Sequence, residues 1–320
     1  MRRRVRDRAG VALAVALVTL ALVGALLAAA FFSVQEGVRV AGTAARAGHL
    51  RAIAWRAINE ALASWDVVAR ARQGVGESAT IAGAFDPRGS VHTTVTRMSS
   101  TLFWAESRAV DLRDSSLAAG VATAVRLEVP RPPEVAAVVT AGRVAGLDTS
   151  LISGQDQRAP SVPWCRASGR RIAAVVQGQS VPSVTSFGRY SLDEIASNAR
   201  EKQENSAIIK PETNLYYATQ SDGYLESAAA SGLLIVRGRL YMSGPASFEG
   251  IIVAEGGLQV ESGDVTVTGV ILVPLAGDSA VVVRPGARLR AAWSSCAVGW
   301  AAALAGRPRT VPGAAELPLP

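Results

Sequence analysis

The first pattern along the chain is an uncharged apolar run of 22 residues from Val11 to Phe32, preceded by a cluster of arginines at residues 1–8. A helix of that length reaches about 33 Å, and the hydrocarbon core of a bilayer is about 30 Å thick. The pattern therefore predicts a basic leader at residues 1–10 and a transmembrane helix at residues 11–34.

The charges beside this predicted helix indicate its orientation. Arginines concentrate on the cytoplasmic side of membrane helices, so the chain after Phe32 is expected outside, in a periplasm-like compartment. A secretory signal peptide is the competing interpretation, with Ala28-Ala29-Ala30 as the small residues of its cleavage site. The apolar run is longer than a usual signal core, and helical composition continues beyond it, which favours an anchor.

A second helical pattern follows the apolar run. Apolar residues from Leu50 to Val68 recur at spacings of three and four, and charged residues fall largely between them. This spacing is typical of an amphipathic helix. We therefore expect an amphipathic helix at residues 35–75 that continues the anchor, as one helix from near Gly10 to near Arg72. Its apolar face must pack on a domain of the same chain.

Three segments rich in Val, Thr and aromatic residues indicate strands: Val91–Arg97, Leu102–Val110 and Gly120–Val129. A small antiparallel sheet at residues 76–133, laid on the amphipathic helix, would bury the apolar face of that helix.

The region after this sheet is predicted to be a loop-rich connection at residues 134–230. Within it, Ser191 and Glu194 have the spacing of a capping box, which predicts a short helix at about 191–201.

An internal repeat occupies the C-terminal third. Three segments that open with a glycine and continue with aliphatic residues begin successive units 18 and 19 residues apart: Gly232–Val236, Gly250–Ala254 and Gly269–Val273. Further short apolar strands follow in each unit, so the repeat predicts a β-solenoid of about three coils at residues 231–292, with three strands per coil. A β-sandwich is the alternative, but it does not need the same opening at constant spacing.

The last two segments complete this organisation. A helical stretch at residues 293–306 is expected to close the open end of the solenoid. The tail at residues 307–320 is rich in proline and is expected to be extended or disordered.

The charge distribution argues against a nucleic-acid partner. The formal net charge is +7, but the first eight residues carry more than half of it, and the later arginines are scattered along the chain. Two cysteines, Cys165 and Cys296, would both lie outside the membrane. One disulfide between them and two separate buried thiols are both compatible with the sequence.

Residues that could carry catalysis are sparse. His49 and His92 are the only histidines, and neither lies in a recognisable catalytic or zinc-binding motif. The acidic residues of the repeat fall at different positions of its units, so they do not form a paired set for glycoside hydrolysis: Glu249, Glu255, Glu261, Asp264 and Asp278. We therefore predict a protein that is not an enzyme, with no catalytic residue, no cofactor and no metal site.

The N-terminal residues resemble a known family. The stretch from Arg8 to Leu17, the apolar helix after it and the pair Gln35-Glu36 resemble the N-terminus of PilX-type type IV pilus assembly proteins and related minor pilins. The resemblance covers about 60 residues. It implies that Gly10 ends a leader removed by a prepilin peptidase and that Val11 is the mature N-terminus.

One position departs from this family pattern. Major pilins carry a glutamate at the fifth mature position, which pairs with the terminal amine of a neighbouring subunit, and here that position is Val15. An apolar residue removes a buried charge pair. The departure implies either a rare subunit at the tip or at initiation, or a leader that is never cut.

The resemblance and the patterns together predict an α+β, membrane-anchored fold, in which a long pilin-like helix with a small antiparallel sheet precedes a short β-solenoid. The expected function is that of a minor pilin-like or pseudopilin-like subunit in the inner membrane of a bacterium. Its expected partners are the membrane, other pilin-like subunits that contact the N-terminal helix, and a secreted or surface partner on the solenoid. The alternatives are a permanently anchored periplasmic scaffold that binds an envelope polymer and, third, a β-helix carbohydrate-active enzyme.

Overall fold

The computed structural model of the chain describes residues 4–81, 89–178, 186–199, 201–203, 207–209, 215–277, 279–313 and 315–317. The helices in this part of the chain are α1 (Arg4–Ala63), α2 (Val67–Arg72), α3 (Leu192–Ser197) and α4 (Ser295–Leu304), with one 3-10 turn at Thr149–Leu151.

Helix α1 is 60 residues long and has two different environments. The large apolar side chains from Leu13 to Val40 are each more than half exposed, and the helix is long and apolar enough to cross a membrane. In its C-terminal half a stripe of apolar residues is buried at the predicted spacing: Leu50, Ile53, Ala54, Ala57, Ile58 and Ala61.

Helix α1 ends earlier than the sequence pattern predicts. It stops at Ala63 rather than near Arg72, and Asp66 caps α2 by accepting a hydrogen bond from the backbone N–H of Ala69 at 3.1 Å. An aspartate in this position satisfies one of the N–H groups that the first turn of a helix leaves free. The apolar spacing continues through Val68 and conceals this break.

The first sheet lies on the C-terminal half of α1. Its strands β1 to β4 run antiparallel, each beside the next along the chain: β1 (Ser78–Ile81), β2 (Gly89–Arg97), β3 (Leu102–Asp111) and β4 (Ala118–Glu128). Leu50 and Ile58 of α1 share a hydrophobic core with Ala109 of β3 and Val121 of β4. The sheet thus buries the apolar stripe of the helix, because neither could cover its apolar side alone.

The next seventeen strands carry the chain to residue 292. They are β5 (Ala136–Thr140), β6 (Val144–Ala145), β7 (Ile152–Ser153), β8 (Ala173–Gln177), β9 (Ser186–Phe187), β10 (Tyr190–Ser191), β11 (Glu201–Gln203), β12 (Ala207–Ile208), β13 (Leu215–Thr219), β14 (Gly223–Glu226), β15 (Ala229–Val236), β16 (Leu240–Ser243), β17 (Ala246–Ala254), β18 (Leu258–Ser262), β19 (Asp264–Val273), β20 (Val281–Val283) and β21 (Arg288–Ala292).

Apart from the hairpin β9–β10, these strands form two parallel sheets, which we call the parallel-sheet domain (residues 136–292). One sheet has the order β11-β13-β15-β17-β19-β21-β7, and β5 joins β19 to β8 beside it. The other has the order β12-β14-β16-β18-β20-β6. From β11 to β21 the chain alternates between the two sheets, and most of the aliphatic residues of these strands are fully buried.

The glycines that open the repeat occupy one column of the first parallel sheet. Gly232 pairs with Gly250, and Gly250 pairs with Gly269. Their φ angles are 134°, 133° and 143°, a region that favours glycine. A Cβ atom at Gly269 would lie 1.9 Å from the carbonyl oxygen of Gly250. Strands β17 and β19 each contain one of these glycines in their interior. The sequence pattern divided each of them into the third strand of one unit and the first strand of the next, but in the structure the two parts form one continuous strand.

The parallel pairing extends beyond the predicted residues 231–292 at both ends. It begins at β11, and β6 and β7 add to β20 and β21 at the other end. The prediction of a loop-rich connection at residues 134–230 was therefore wrong in part. The strands there are short, and one of the two partners of β5, strand β19, lies more than 100 residues further along the chain.

Helix α4 lies between the parallel-sheet domain and the first sheet rather than at the end of the parallel strands. It contacts β15, β17 and β19, and its Ala303 shares a core with Phe103 and Val125 of the first sheet. A closing helix would contact the last strand of the sheet, so the predicted capping position is wrong. The helix instead joins the parallel-sheet domain to the sheet that carries α1.

The described part of the tail also returns to the first sheet. Its strands β22 (Arg307–Thr310) and β23 (Ala315–Leu317) pair antiparallel with β4. Pro308 is tolerated because β22 is an edge strand, where a missing N–H donor faces away from the ladder.

Candidate functional site

The predicted processing residues lie near the start of α1. The backbone at Gly10 and Val11 is helical, and their side chains lie outside the described residues. The structure therefore gives their place in the helix and nothing of their contacts.

The apolar segment that follows is suited to an apolar environment. No charged residue lies between Val11 and Phe32. Thr19 donates its hydroxyl hydrogen within the helix, where the carbonyl oxygens of Val15 and Ala16 both lie at 2.9 Å. A satisfied hydroxyl costs little inside lipid or against another apolar helix.

The two cysteines are joined. The Sγ atoms of Cys165 and Cys296 are 2.00 Å apart, and their Cα atoms are 5.8 Å apart. Of the two arrangements that the sequence left open, the structure has the disulfide. It ties the long loop between β7 and β8 to the first turn of α4.

Asp156 holds the same loop against α4 without a covalent bond. Its carboxylate accepts hydrogen bonds from the backbone N–H groups of Ser168 (2.5 Å) and Ser295 (2.8 Å) and from both hydroxyls, at 2.6 and 2.7 Å. Burial by itself raises the pKa of Asp156, but the four hydrogen bonds outweigh this effect and leave the pKa below its ordinary value.

Replacing Asp156 with asparagine should destabilise the folded chain by about 1–3 kcal/mol, because the amide cannot accept the same four hydrogen bonds. In the unchanged protein this stabilisation is fully present above the unfolded-state pKa of about 4 and is lost as the pH falls through the lower folded-state pKa. Thermal unfolding from pH 7 to pH 3 measures both effects.

The matched control for this prediction is Asp148→Asn. Asp148 also accepts hydrogen bonds from a serine, Ser150, but it lies in an exposed turn and holds no other element. Equal losses in the two variants would contradict the role given to Asp156.

Arg97 connects the disulfide loop to the first sheet. The residue is only 2% exposed, and its guanidinium donates to four backbone carbonyl oxygens, those of Ala71, Gln73, Ser99 and Ser100, at 2.7–3.1 Å. The guanidinium also lies 4.3 Å from the ring centroid of Trp164, the neighbour of Cys165. Burial lowers the pKa of Arg97. Because every contact is to a carbonyl or a ring, the residue acts as a structural junction between α2, the β2–β3 turn and the loop.

The residues considered for catalysis are not brought together. His49 and His92 are exposed, on α1 and on β2 respectively. Glu255 pairs with Arg237 and Glu261 with Arg284, whereas Glu249 accepts hydrogen bonds from Ser161. Asp264 is exposed, and Asp278 lies outside the described residues. Among the described residues no group of three His, Cys, Asp or Glu side chains could hold a metal ion.

Arginines that are scattered in the sequence converge in the fold. Arg126 of β4, Arg131 of the proline-rich linker and Arg189 of the β9–β10 hairpin line one cleft of about 450 Å³, and we call it the arginine cleft. Glu128, also in the cleft, contacts Arg189 and lies 2.7 Å from Nε of Arg309. Arg126 and Arg131 lie on one stretch of chain, whereas Arg189 comes from a hairpin much later in the sequence, so the sequence alone does not reveal that the three meet.

Two further contacts shape this cleft. The hydroxyl of Tyr190 lies 3.3 Å from the carboxylate of Glu128, and the guanidinium of Arg189 lies 5.2 Å from the Tyr190 ring centroid. A hydrogen bond with Tyr190 and the charge of Glu128 raise the pKa of Arg189. The guanidinium therefore stays protonated at every physiological pH.

In comparisons with known proteins, no family model, no curated protein and no solved structure matches this chain.

Proposed function

We propose that this chain is a minor pilin-like or pseudopilin-like structural subunit of a type IV pilus or a type II secretion-type machine. Helix α1 would lie in the bacterial inner membrane, with its N-terminus cytoplasmic, and would later pack against the helices of other subunits. The parallel-sheet domain would be a β-solenoid displayed in the periplasm or on a filament. The protein would then act through assembly rather than catalysis.

The observation that carries this proposal is the contrast between the exposed apolar N-terminal half of α1 and its buried C-terminal half. Its N-terminal half exposes every large apolar side chain from Leu13 to Val40, whereas its C-terminal half is buried on a sheet of the same chain. An apolar surface of this size must be covered by lipid or by other apolar helices. The change from lipid to neighbouring helices is the step that filament assembly requires.

The disulfide supports placement outside the cytoplasm. Bonds of this kind persist in oxidising compartments such as the periplasm and are rare in reducing ones. The bond between Cys165 and Cys296 lies in the part of the chain that follows α1, in agreement with the expected orientation.

Val15 favours a second candidate function. Without a glutamate at this position, the subunit lacks the charge that would pair with a neighbour's terminal amine. A permanently anchored periplasmic protein that scaffolds or binds an envelope polymer needs neither leader cleavage nor that charge pair.

Mass spectrometry of the intact N-terminus from native membranes tests the proposal. We expect an N-terminus at Val11, especially a methylated one, and loss of filaments or of secretion when the gene is deleted. An N-terminus at Met1 or Arg2 would favour the permanent anchor, and a terminus near Ala30 would show that the apolar run is a signal peptide.

A substitution makes this test specific. Gly10→Leu should leave the leader attached, because the resemblance places Gly10 at the cleavage site. Gly24→Ala is the matched control, since a Cβ atom there meets no atom within 4 Å, and it should be processed like the unchanged protein. Equal processing of both variants would count against a prepilin peptidase.

A further inference from the structure

The arginine cleft has more positive charge than its own carboxylates balance. Among the described residues, Glu128 is the only acidic one that lines it, and this carboxylate is shared by Arg189 and Arg309. Within the described part of the chain, no side chain pairs with the guanidinium of Arg126 or Arg131, and both residues are exposed. A cleft with two unpaired guanidiniums attracts a ligand that carries carboxylate or phosphate groups.

The floor of the cleft narrows the choice of ligand. Val129, which lines the cleft, is partly exposed, whereas Leu127 and Phe187 are buried in the hydrophobic cores beneath it. A basic rim over an apolar floor is complementary to a segment that carries acidic and apolar groups side by side. Polypeptides offer this combination, whereas a sugar-phosphate polymer offers charge without an aliphatic group for the floor.

The position of the cleft argues against lipid as the source of the anion. Leu127 shares a core with Leu62 and Trp65, at the far end of α1. From Phe32 to that end the helix rises about 45 Å at 1.5 Å per residue. If α1 spans the membrane as proposed, lipid headgroups lie too far from the cleft to reach it. This step alone rests on the proposed function.

We propose that the arginine cleft binds an acidic segment of another polypeptide, in which a carboxylate side chain lies next to an apolar one. Arg126 and Arg131 hold the carboxylates, and the apolar side chain rests on Val129. The interaction does not depend on cleavage after Gly10.

Fluorescence anisotropy with full-length protein in a nonionic detergent tests this inference. The probe is a short labelled peptide that alternates glutamate and leucine. The double variant Arg126→Gln/Arg131→Gln should weaken binding about tenfold or more, the loss expected for removed charge-assisted hydrogen bonds. Arg108→Gln/Arg113→Gln removes the same charge from the β3 region of the same sheet and should change binding by less than about twofold.

Glu128→Gln gives an effect of the opposite sign. Without this carboxylate Arg189 and Arg309 become available to the peptide, so binding should tighten severalfold, an outcome that general damage to the fold would not produce. Since the peptide is added in solution, leader processing has no influence on the result, and the two proposals can fail separately.

Three results would overturn the inference. The first is the absence of peptide binding to the unchanged protein at low salt. The second is an equal loss of peptide affinity in the Arg108→Gln/Arg113→Gln control, which would show that the affinity depends only on the net charge of the protein. The third is equal or tighter binding at the same arginines by a single-stranded oligonucleotide of matched charge, which would make the cleft a site for a phosphate polymer.

Discussion

Gly269→Ala should prevent the parallel-sheet domain from folding, with a loss of more than about 4 kcal/mol. The new Cβ atom would lie 1.9 Å from the carbonyl oxygen of Gly250 and 2.8 Å from its carbonyl carbon. Both are backbone atoms inside a paired ladder, so the strands would have to separate. The φ angle of 143° adds backbone strain. The expected result is loss of the cooperative thermal transition and rapid digestion by trypsin.

Two alanine controls separate these causes. Gly277 has a φ angle of 128° but no atom within 4 Å of an added Cβ, so Gly277→Ala should show the backbone strain alone, about 1–3 kcal/mol. Gly299, on the exposed side of α4, has no positive φ angle and no atom within 4 Å of an added Cβ. Gly299→Ala should stabilise the chain by about 0.5–1 kcal/mol. A Gly269→Ala protein as stable as Gly299→Ala would refute the close-packed glycine column.

The double variant Cys165→Ser/Cys296→Ser should lose about 2–5 kcal/mol of stability. The bond closes a loop across 131 residues, and the loss of chain entropy on cross-linking gives about 5 kcal/mol for that length as an upper value. The loop beside it has no regular structure between β7 and β8, so little else of equal strength replaces the bond.

Limited proteolysis with trypsin adds a local measurement to this prediction. Four arginines of the loop offer cleavage sites: Arg158, Arg166, Arg170 and Arg171. We expect faster cleavage there in the variant and in the unchanged protein after reduction. Unaltered cleavage together with an unaltered Tm would mean that Asp156 and Arg97 hold the loop without the disulfide.

The elements that the sequence predicted well are those with local signals. The spacing from Leu50 to Ala61 predicts a buried face of α1 because a helix repeats every 3.6 residues. The openings at Gly232, Gly250 and Gly269 predict stacked strands, because only glycine fits where one backbone lies directly on the next.

The elements that were missed have partners far away in the chain. Strand β5 is a short apolar run whose neighbours are β8 and β19. Strand β22 lies in the proline-rich tail, which was predicted to be extended or disordered, and its partner β4 lies much earlier in the chain. The arginine cleft was missed for the same reason. Arg126, Arg131 and Arg189 meet only after the linker and the β9–β10 hairpin have packed beside β4.

This pairing of distant segments has a consequence for the order of folding. Synthesis starts at the N-terminus, so β4, β5, β6 and β7 exist long before β19, β20, β21 and β22, their neighbours in the finished molecule. Closing such long separations is slow, and an unpaired strand edge is open to wrong partners in the meantime. A chain that stops before residue 264 therefore loses more than its last strands, because it also leaves the first strands of the parallel-sheet domain without the neighbours that complete them.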